Sequence, residues 1–410
     1  MIETTTLDNG LRVVVDHHPG QVVYCGLAVD AGTRDQLESE SGMAHFIEHM
    51  SFKGTQRRRS WHIINRMEAV GGDLNAYTGK EHTVYYCTTL RKYLSRALDL
   101  LFDITFFSTF PQNEIEHEVE VVIDEIESYN DSPSELIYDD FDALLFPNHP
   151  LGRNILGEAD RLRQYQTEDL AAFTRRLYHP SRMVLFVYGD VTLRVVEKMA
   201  SSLISSTEKN LYAHIEPRFS PLTSSHLSPL TSRIKKNTHQ AHVIIGCQAC
   251  ALGDERYMGL ALLTNILGGP GMNSRFNVSL RERRGLVYTV ESSLTGYTDT
   301  GVWTTYFGCD HEDVERCRKL VHRELEKLID SPLSASQLAA AKRQMCGQTI
   351  QAWENGENVA IGMGRRLLHL GDTCSLEQYC ADINRLESQQ LCDIAREMFD
   401  TSRLHTLIYD

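Results

Sequence analysis

Residues 167–190 read TEDLAAFTRRLYHPSRMVLFVYGD, and residues 388–410 read SQQLCDIAREMFDTSRLHTLIYD. Each opens on a Ser or Thr suited to cap a helix, continues with apolar residues at helical spacing, and closes on Ser-Arg followed by an apolar run of strand type. Leu170 matches Leu391, Arg175 matches Arg396, and Ser181-Arg182 match Ser402-Arg403, all at one constant offset. A helix-to-strand unit that recurs so far apart points to two related domains. The beginnings of the halves agree: residues 22–30, VVYCGLAVD, and 242–250, HVIIGCQAC, both read as buried strands that feed a helix.

Between the halves lies a stretch that punctuates rather than packs, with SSTEKN at 205–210 and then Pro217, Pro221 and Pro229 among many Ser and Thr. We therefore expect a first domain over 1–205, a linker over 206–236 and a second domain over 237–410. Helical stretches such as 92–107 and 313–329 alternate with apolar strands in each half. The expected class is α+β: two homologous domains related by internal duplication, each a largely antiparallel mixed sheet packed with helices.

A chain of 410 residues exceeds one comfortable core, which agrees with two domains. Hydrophobic residues at 42% and charged residues at 23% argue for a folded globular protein rather than a disordered one. The net charge of −14 argues against a nucleic-acid partner. No stretch reaches the roughly 18 apolar residues of a membrane span, and Met1-Ile2-Glu3-Thr4-Thr5-Thr6 lacks the start of a secretion signal, so no membrane association and a cytoplasmic location are expected. Ten scattered cysteines fit reduced thiols. The pair Cys247 and Cys250 ends an apolar run with no second Cys or His pair nearby, and reads as part of a core strand.

Chemistry concentrates at His45-Phe46-Ile47-Glu48-His49. On a helix expected over 43–52, His45 and His49 stand one turn apart, and Glu48 falls on the same side. Two neutral imidazoles converging in this way suit Zn²⁺, and a neighbouring carboxylate that is not a ligand can accept a proton from water activated by the metal. The order His-x-x-Glu-His inverts the commoner zincin signature. In the second half the corresponding helix, 258–267, carries Leu260, Leu263 and Thr264 at these positions, so only the first domain can build the site.

A catalytic zinc needs a third protein ligand. The segment 113–127 is helical by composition, with an apolar stripe of Val119, Val122, Ile123 and Ile126. Glu118 and Glu125, seven apart, share one of its faces; we read Glu125 as the third ligand and Glu118 as a supporting carboxylate, while other glutamates there belong to a solvated face.

Four segments together resemble a known family: His45 to His49 with its continuation Met50-Ser51-Phe52-Lys53-Gly54-Thr55; Gly71-Gly72-Asp73-Leu74-Asn75-Ala76-Tyr77-Thr78 with Thr83-Val84-Tyr85; the helix Glu116 to Ile126; and Leu280-Arg281-Glu282-Arg283-Arg284-Gly285-Leu286-Val287-Tyr288. Over nearly its whole length the chain is similar to the inverted-zincin metallopeptidases of the M16 type, which include pitrilysin, insulin-degrading enzyme and the mitochondrial processing peptidase. It is closest to their short bacterial members.

The resemblance implies a zinc-dependent endopeptidase holding one Zn²⁺ per chain through His45, His49 and Glu125, with Glu48 as general base and Glu118 as auxiliary acid. It implies that Asn75-Ala76 lies on a sheet edge along which a peptide substrate adds as a strand. It also implies that Arg281 and Tyr288 hold the substrate main chain or the developing oxyanion, a role suited to a cation and a phenol. Larger relatives close a chamber from four such domains, so two domains imply a homodimer, with a heterodimer as second choice, in which Arg281 and Tyr288 complete the partner's site. Family members that lack the zinc motif serve as non-catalytic subunits of processing-peptidase-like complexes, and that is the alternative reading.

Overall fold

The strands of this chain are the runs in which β-branched and aromatic residues alternate or continue, and its helices are the stretches with a 3.6-residue apolar stripe. The computed structural model describes residues 2–204 and 229–410. Its strands are β1 Ile2–Thr6, β2 Arg12–His17, β3 Val22–Val29, β4 Asp73–Thr78, β5 Thr83–Leu90, β6 Met183–Gly189, β7 Thr231–Ile234, β8 Ala241–Ala249, β9 Val287–Gly296, β10 Gly301–Cys309 and β11 His405–Tyr409. The helices of the first half are α1 Met43–Met50, α2 Ser60–Glu68, α3 Leu94–Phe106, α4 Gln112–Asn130, α5 Pro133–Leu145, α6 Ala159–Leu162, α7 Thr167–Leu177 and α8 Leu193–Ile204. Those of the second are α9 Tyr257–Gly268, α10 Val314–Asp330, α11 Ala335–Trp353, α12 Gly356–Leu370, α13 Leu376–Arg385 and α14 Ser388–Met398.

Two sheets result, ordered β1-β2-β6-β3-β5-β4 and β7-β11-β8-β10-β9. Apart from β1 they correspond strand for strand. The pairs β2–β6 and β7–β11 are parallel, and every other neighbour is antiparallel. The expected α+β class and the duplication are therefore visible as topology. In each sheet the last strand, β4 or β9, is an edge.

Both sheets bury both faces. In the first, Val13, Val15, Val23, Cys25, Leu27, Leu185 and Val187 point to a core shared with α1, α3 and α4, whereas Val14, Ala28, Val184 and Phe186 point to the opposite face. There Ala360, Met363, Leu367 and Leu368 of α12 cover them, spaced as one helical stripe. In the second sheet, Val243, Ile245 and Cys247 face one core, and Ile244 faces Leu136, Ile137, Phe141 and Leu145 of α5.

The compact units are consequently not contiguous stretches of chain. One consists of the residues up to Ser128, those from Arg153 through α8, and Trp353–Cys374; the other takes Tyr129–Gly152, the residues from β7 to Ala352, and Ser375–Asp410. Each half of the sequence thus lends one helix to the other half's sheet, which differs from the expected division into 1–205 and 237–410. An apolar stripe announces that a helix will bury a face but not which sheet it will meet. Most of the expected linker, 206–228 of 206–236, lies outside the described residues, and its expected end includes β7.

The expected Ser/Thr caps also differ. Thr167 and Ser388 are the first helical residues, preceded by Gln166 and Glu387, whose backbone N–H groups donate to Asp169 and Gln390. The two hydroxyls donate instead to the carbonyls of Phe110 and Leu333, ahead of α4 and α11.

Candidate metal centre

Helix α1 is set by what it must bury. Met43, Ala44, Phe46, Ile47 and Met50 enter the core, and this leaves His45, Glu48 and His49 on the remaining face. Its entry is tight: Gly42 has φ +79, and a Cβ there would stand 2.6 Å from the Leu156 carbonyl oxygen, so only glycine fits. Helix α4 anchors Ile115, Val119, Val122 and Ile123 in the same core, with Ile126 half-buried against it, as the sequence stripe suggests. That orientation buries Glu118 and carries Glu125 to the rim, 45% exposed.

The nitrogens of His45 and His49 and a carboxylate oxygen of Glu125 all lie within 4.8 Å of one another. Nε2 of His49 is 3.5 Å from Oε2 of Glu125, and Nε2 of His45 is 3.9 Å from Oε1. An ion bound tetrahedrally at about 2.0–2.1 Å spaces its donors roughly 3.3 Å apart, so two imidazoles and one carboxylate of this spacing fit zinc and leave a fourth position open. Glu118 takes no place among the three; its Oε1 is 2.9 Å from Nδ1 of His49. Its Oε2 meets Nζ of Lys53 at 2.5 Å.

The electrostatics set the two imidazoles apart. Burial, with the neighbouring His49, pushes His45 down to about 3, so its imidazole is neutral. Burial pulls His49 downward too, but the bond to Glu118 and the surrounding carboxylates outweigh it and raise it. Glu118 is lowered: burial opposes ionisation, and the His49 and Lys53 bonds overcome that. Glu48 is raised by burial, opposed by a hydrogen bond from Thr78 and by His49. Beneath it, the hydroxyls of Ser51 and Tyr85 and those of Tyr85 and Tyr178 are each 3.0 Å apart. Among the described residues Nδ1 of His45 has no protein hydrogen-bond partner.

Asn75 and Ala76 lie on the edge strand β4, opposite Tyr86 and Tyr85 of β5, and the Asn75 side chain accepts from the Ala76 N–H at 2.8 Å. The other two expected substrate-holding residues belong to the second unit. Arg281 sits in a π-helical turn, Asn277–Glu282, and Tyr288, second residue of the edge strand β9, is 84% exposed. Both line a cavity of about 350 Å³ with the Gly268-Gly269-Pro270 turn. Leu260, Leu263 and Thr264 are buried on α9, so the second copy of the helix carries no metal donors at these positions. Cys247 and Cys250 are free thiols that burial pushes up to about 12 and about 11, as befits core residues. No helix among the described residues is long and apolar enough to cross a membrane.

Sequence reading gave no role to Lys53 or Thr78, although both lie in quoted motifs. Lys53 follows His49 by one turn's length, a usable signal; the position of Thr78 depends on strand register.

Comparison with known proteins finds relatives over nearly the whole chain. The model of the insulinase family, peptidase family M16, matches residues 12–159, and that of the M16 inactive domain matches residues 165–345. An uncharacterized zinc protease of Bacillus subtilis, YmxG, is 31% identical over 97% of this chain and 96% of its own. One from Mycobacterium tuberculosis is 32% identical over 96% of this chain and 90% of its own. Among solved structures, a protease from Helicobacter pylori superposes with a TM-score of 0.93 at 23% identity, covering 100% of this chain and 99% of that one. A structure from Pseudomonas fluorescens described as a peptidase M16 inactive domain reaches a TM-score of 0.89 at 20% identity, covering 100% and 97%.

Proposed function

As the chain belongs to the M16 peptidase family, we propose that it is a zinc-dependent endopeptidase acting on peptides or short unfolded polypeptides. The observation that carries this reading is the convergence of His45, His49 and Glu125 donor atoms within 4.8 Å, with the half-buried Glu48 carboxylate on the same helix face. His45, His49 and Glu125 would hold the ion, one per chain. When bound, zinc supplies Lewis-acid polarisation of a water molecule and of the scissile carbonyl.

The protein's own groups do the rest. Glu48 accepts the proton of the attacking water and returns it to the leaving amine. Glu118 holds His49 by Nδ1, so that Nε2 is turned towards Glu125 and would be free to ligate. The edge of β4 at Asn75-Ala76 offers main-chain groups to an extended peptide. Arg281 and Tyr288 donate to the substrate carbonyl as it gains negative charge. A homodimer in which Arg281 and Tyr288 serve the partner's zinc site gives each chain a complete set.

Replacing Glu48 by Gln tests the reading. Cleavage of a quenched fluorescent peptide library is expected to vanish while zinc content stays at one per chain; full activity in that variant overturns it. Co-assembly of Glu48→Gln with Arg281→Ala is expected to restore part of the activity, and no recovery would place Arg281 in cis.

A further inference from the structure

We propose that Thr78 is a positioning residue that fixes which carboxylate oxygen of Glu48 takes the proton, an inference that rests on Glu48 being the base. The hydroxyl of Thr78 donates to Oε2 of Glu48 at 2.6 Å. A hydroxyl has one hydrogen to give, so the direction of this bond depends on its other neighbours. The nearest is Oγ1 of Thr83, at 3.4 Å. Thr83 is fully buried and spends its own hydrogen on the Ala31 carbonyl at 2.9 Å, which leaves it only lone pairs to offer Thr78. Thr78 therefore chooses between a neutral acceptor at 3.4 Å and a carboxylate at 2.6 Å, and the shorter, charge-assisted bond prevails.

The placement is rigid because it is built into sheet register. Thr78 pairs directly with Thr83 across β4 and β5, and Thr83 is itself pinned. The terminal torsion of a glutamate is broad, so without such a bond the carboxylate swings. With Oε2 occupied, Oε1 keeps both lone pairs for the water. In the chemical step the water O–H bond breaks and its proton passes to Oε1, while its electron pair forms the new bond to the carbonyl carbon and the C=O π pair moves onto the carbonyl oxygen. The oxyanion pair then re-forms C=O as the C–N bond breaks, and the amine nitrogen, leaving with that bond's pair, takes the proton from Oε1. Atoms and charge balance without another reactant.

Thr78 also lies two residues beyond Ala76 on the strand proposed to seat the peptide, so a docking role must be separated from a role towards Glu48. The test uses the full-length zinc-loaded protein, one quenched fluorescent oligopeptide, and the variants Thr78→Val, Thr78→Ala and Thr78→Ser. Both hydroxyl-free variants are expected to lower kcat by roughly 10- to 100-fold with KM changed less than about twofold. Zinc content and unfolding temperature should match the parent, and Thr78→Ser should regain most of kcat. A parental kcat in Thr78→Val and Thr78→Ala, a loss confined to KM, or a failure of Thr78→Ser to restore the rate overturns the proposal. Glu48→Gln measured in parallel distinguishes the two levels. If it cleaves at the parental rate, the base assignment itself fails; if it is inert while Thr78→Val is fully active, only the positioning role fails.

Discussion

Nδ1 of His49 and Oε1 of Glu118 are 2.9 Å apart, and the second oxygen of the same carboxylate is held by Lys53. One carboxylate thus joins an ammonium to an imidazole and turns Nε2 of that ring towards Glu125. Glu118→Gln should weaken zinc binding by about 10- to 100-fold, read by competition with a chromogenic chelator. Lys53→Met should move affinity the same way by less. Parental affinity in both variants would show that the chain of contacts has no hold on the metal.

Glu125 and Glu48 are separable in a metal assay. Glu125→Gln removes one of three donors and should purify with well under one zinc per chain, whereas Glu48→Gln should remain loaded. A chelator should abolish peptide cleavage by the parent and added zinc should restore it. Atomic emission measurement of zinc beside activity checks both, and stoichiometric zinc in Glu125→Gln would remove it from the donor set.

Gly26, on the central strand β3, faces Phe186, and a methyl there would run into that ring and stand 2.5 Å from the Tyr85 carbonyl oxygen. Phe186 is itself fully buried against Gly364 of α12, so it has no room to retreat. Gly26→Ala should therefore destabilise by about 1–3 kcal/mol through overpacking. Gly246, at the matching position of β8, meets the Phe141 ring of α5, and its alanine variant should behave alike. Urea unfolding midpoints measure both; an unchanged midpoint would mean the sheets can yield.

Acid should loosen the second unit. Burial holds His242, His322 and His405 below the ordinary histidine value. The unfolded chain titrates near 6.5, so below that pH it binds protons that the folded state refuses. The stability these groups allow is whole above about 6.5 and declines as pH falls towards their lowered folded-state values. Thermal midpoints should drop between pH 7.5 and pH 5.5, both chosen to bracket this roughly 6.5 midpoint, and His405→Gln should flatten part of the slope. A flat profile in the parent would contradict the prediction.

The repeat, the α+β class and the helix carrying His45, Glu48 and His49 were legible because periodicity and spacing are properties of short segments. Leu170 and Leu391, or Gly26 and Gly246, fill matching places because the same packing problem recurs in both copies. What remained hidden is relational. Nothing local in Ala360, Met363 and Leu367 says that they will cover Val14 and Phe186 rather than their own half's sheet. Thr78 likewise acquires its neighbour only once β4 settles in register against β5. Thr167 and Ser388 misled because a hydroxyl at a helix start has a near cap and a distant carbonyl to choose between, and the distant one prevailed.

The exchange of α5 and α12 bears on synthesis. A ribosome releases the first sheet's last strand, Met183–Gly189, well before α12 at Gly356–Leu370. Until then one face of that sheet, including Val14, Ala28 and Phe186, has no helix to cover it. The nascent first half must wait with greasy surface showing, the kind of transient exposure that invites association before folding is complete. A transcript truncated after the first half would yield a product with this apolar face uncovered.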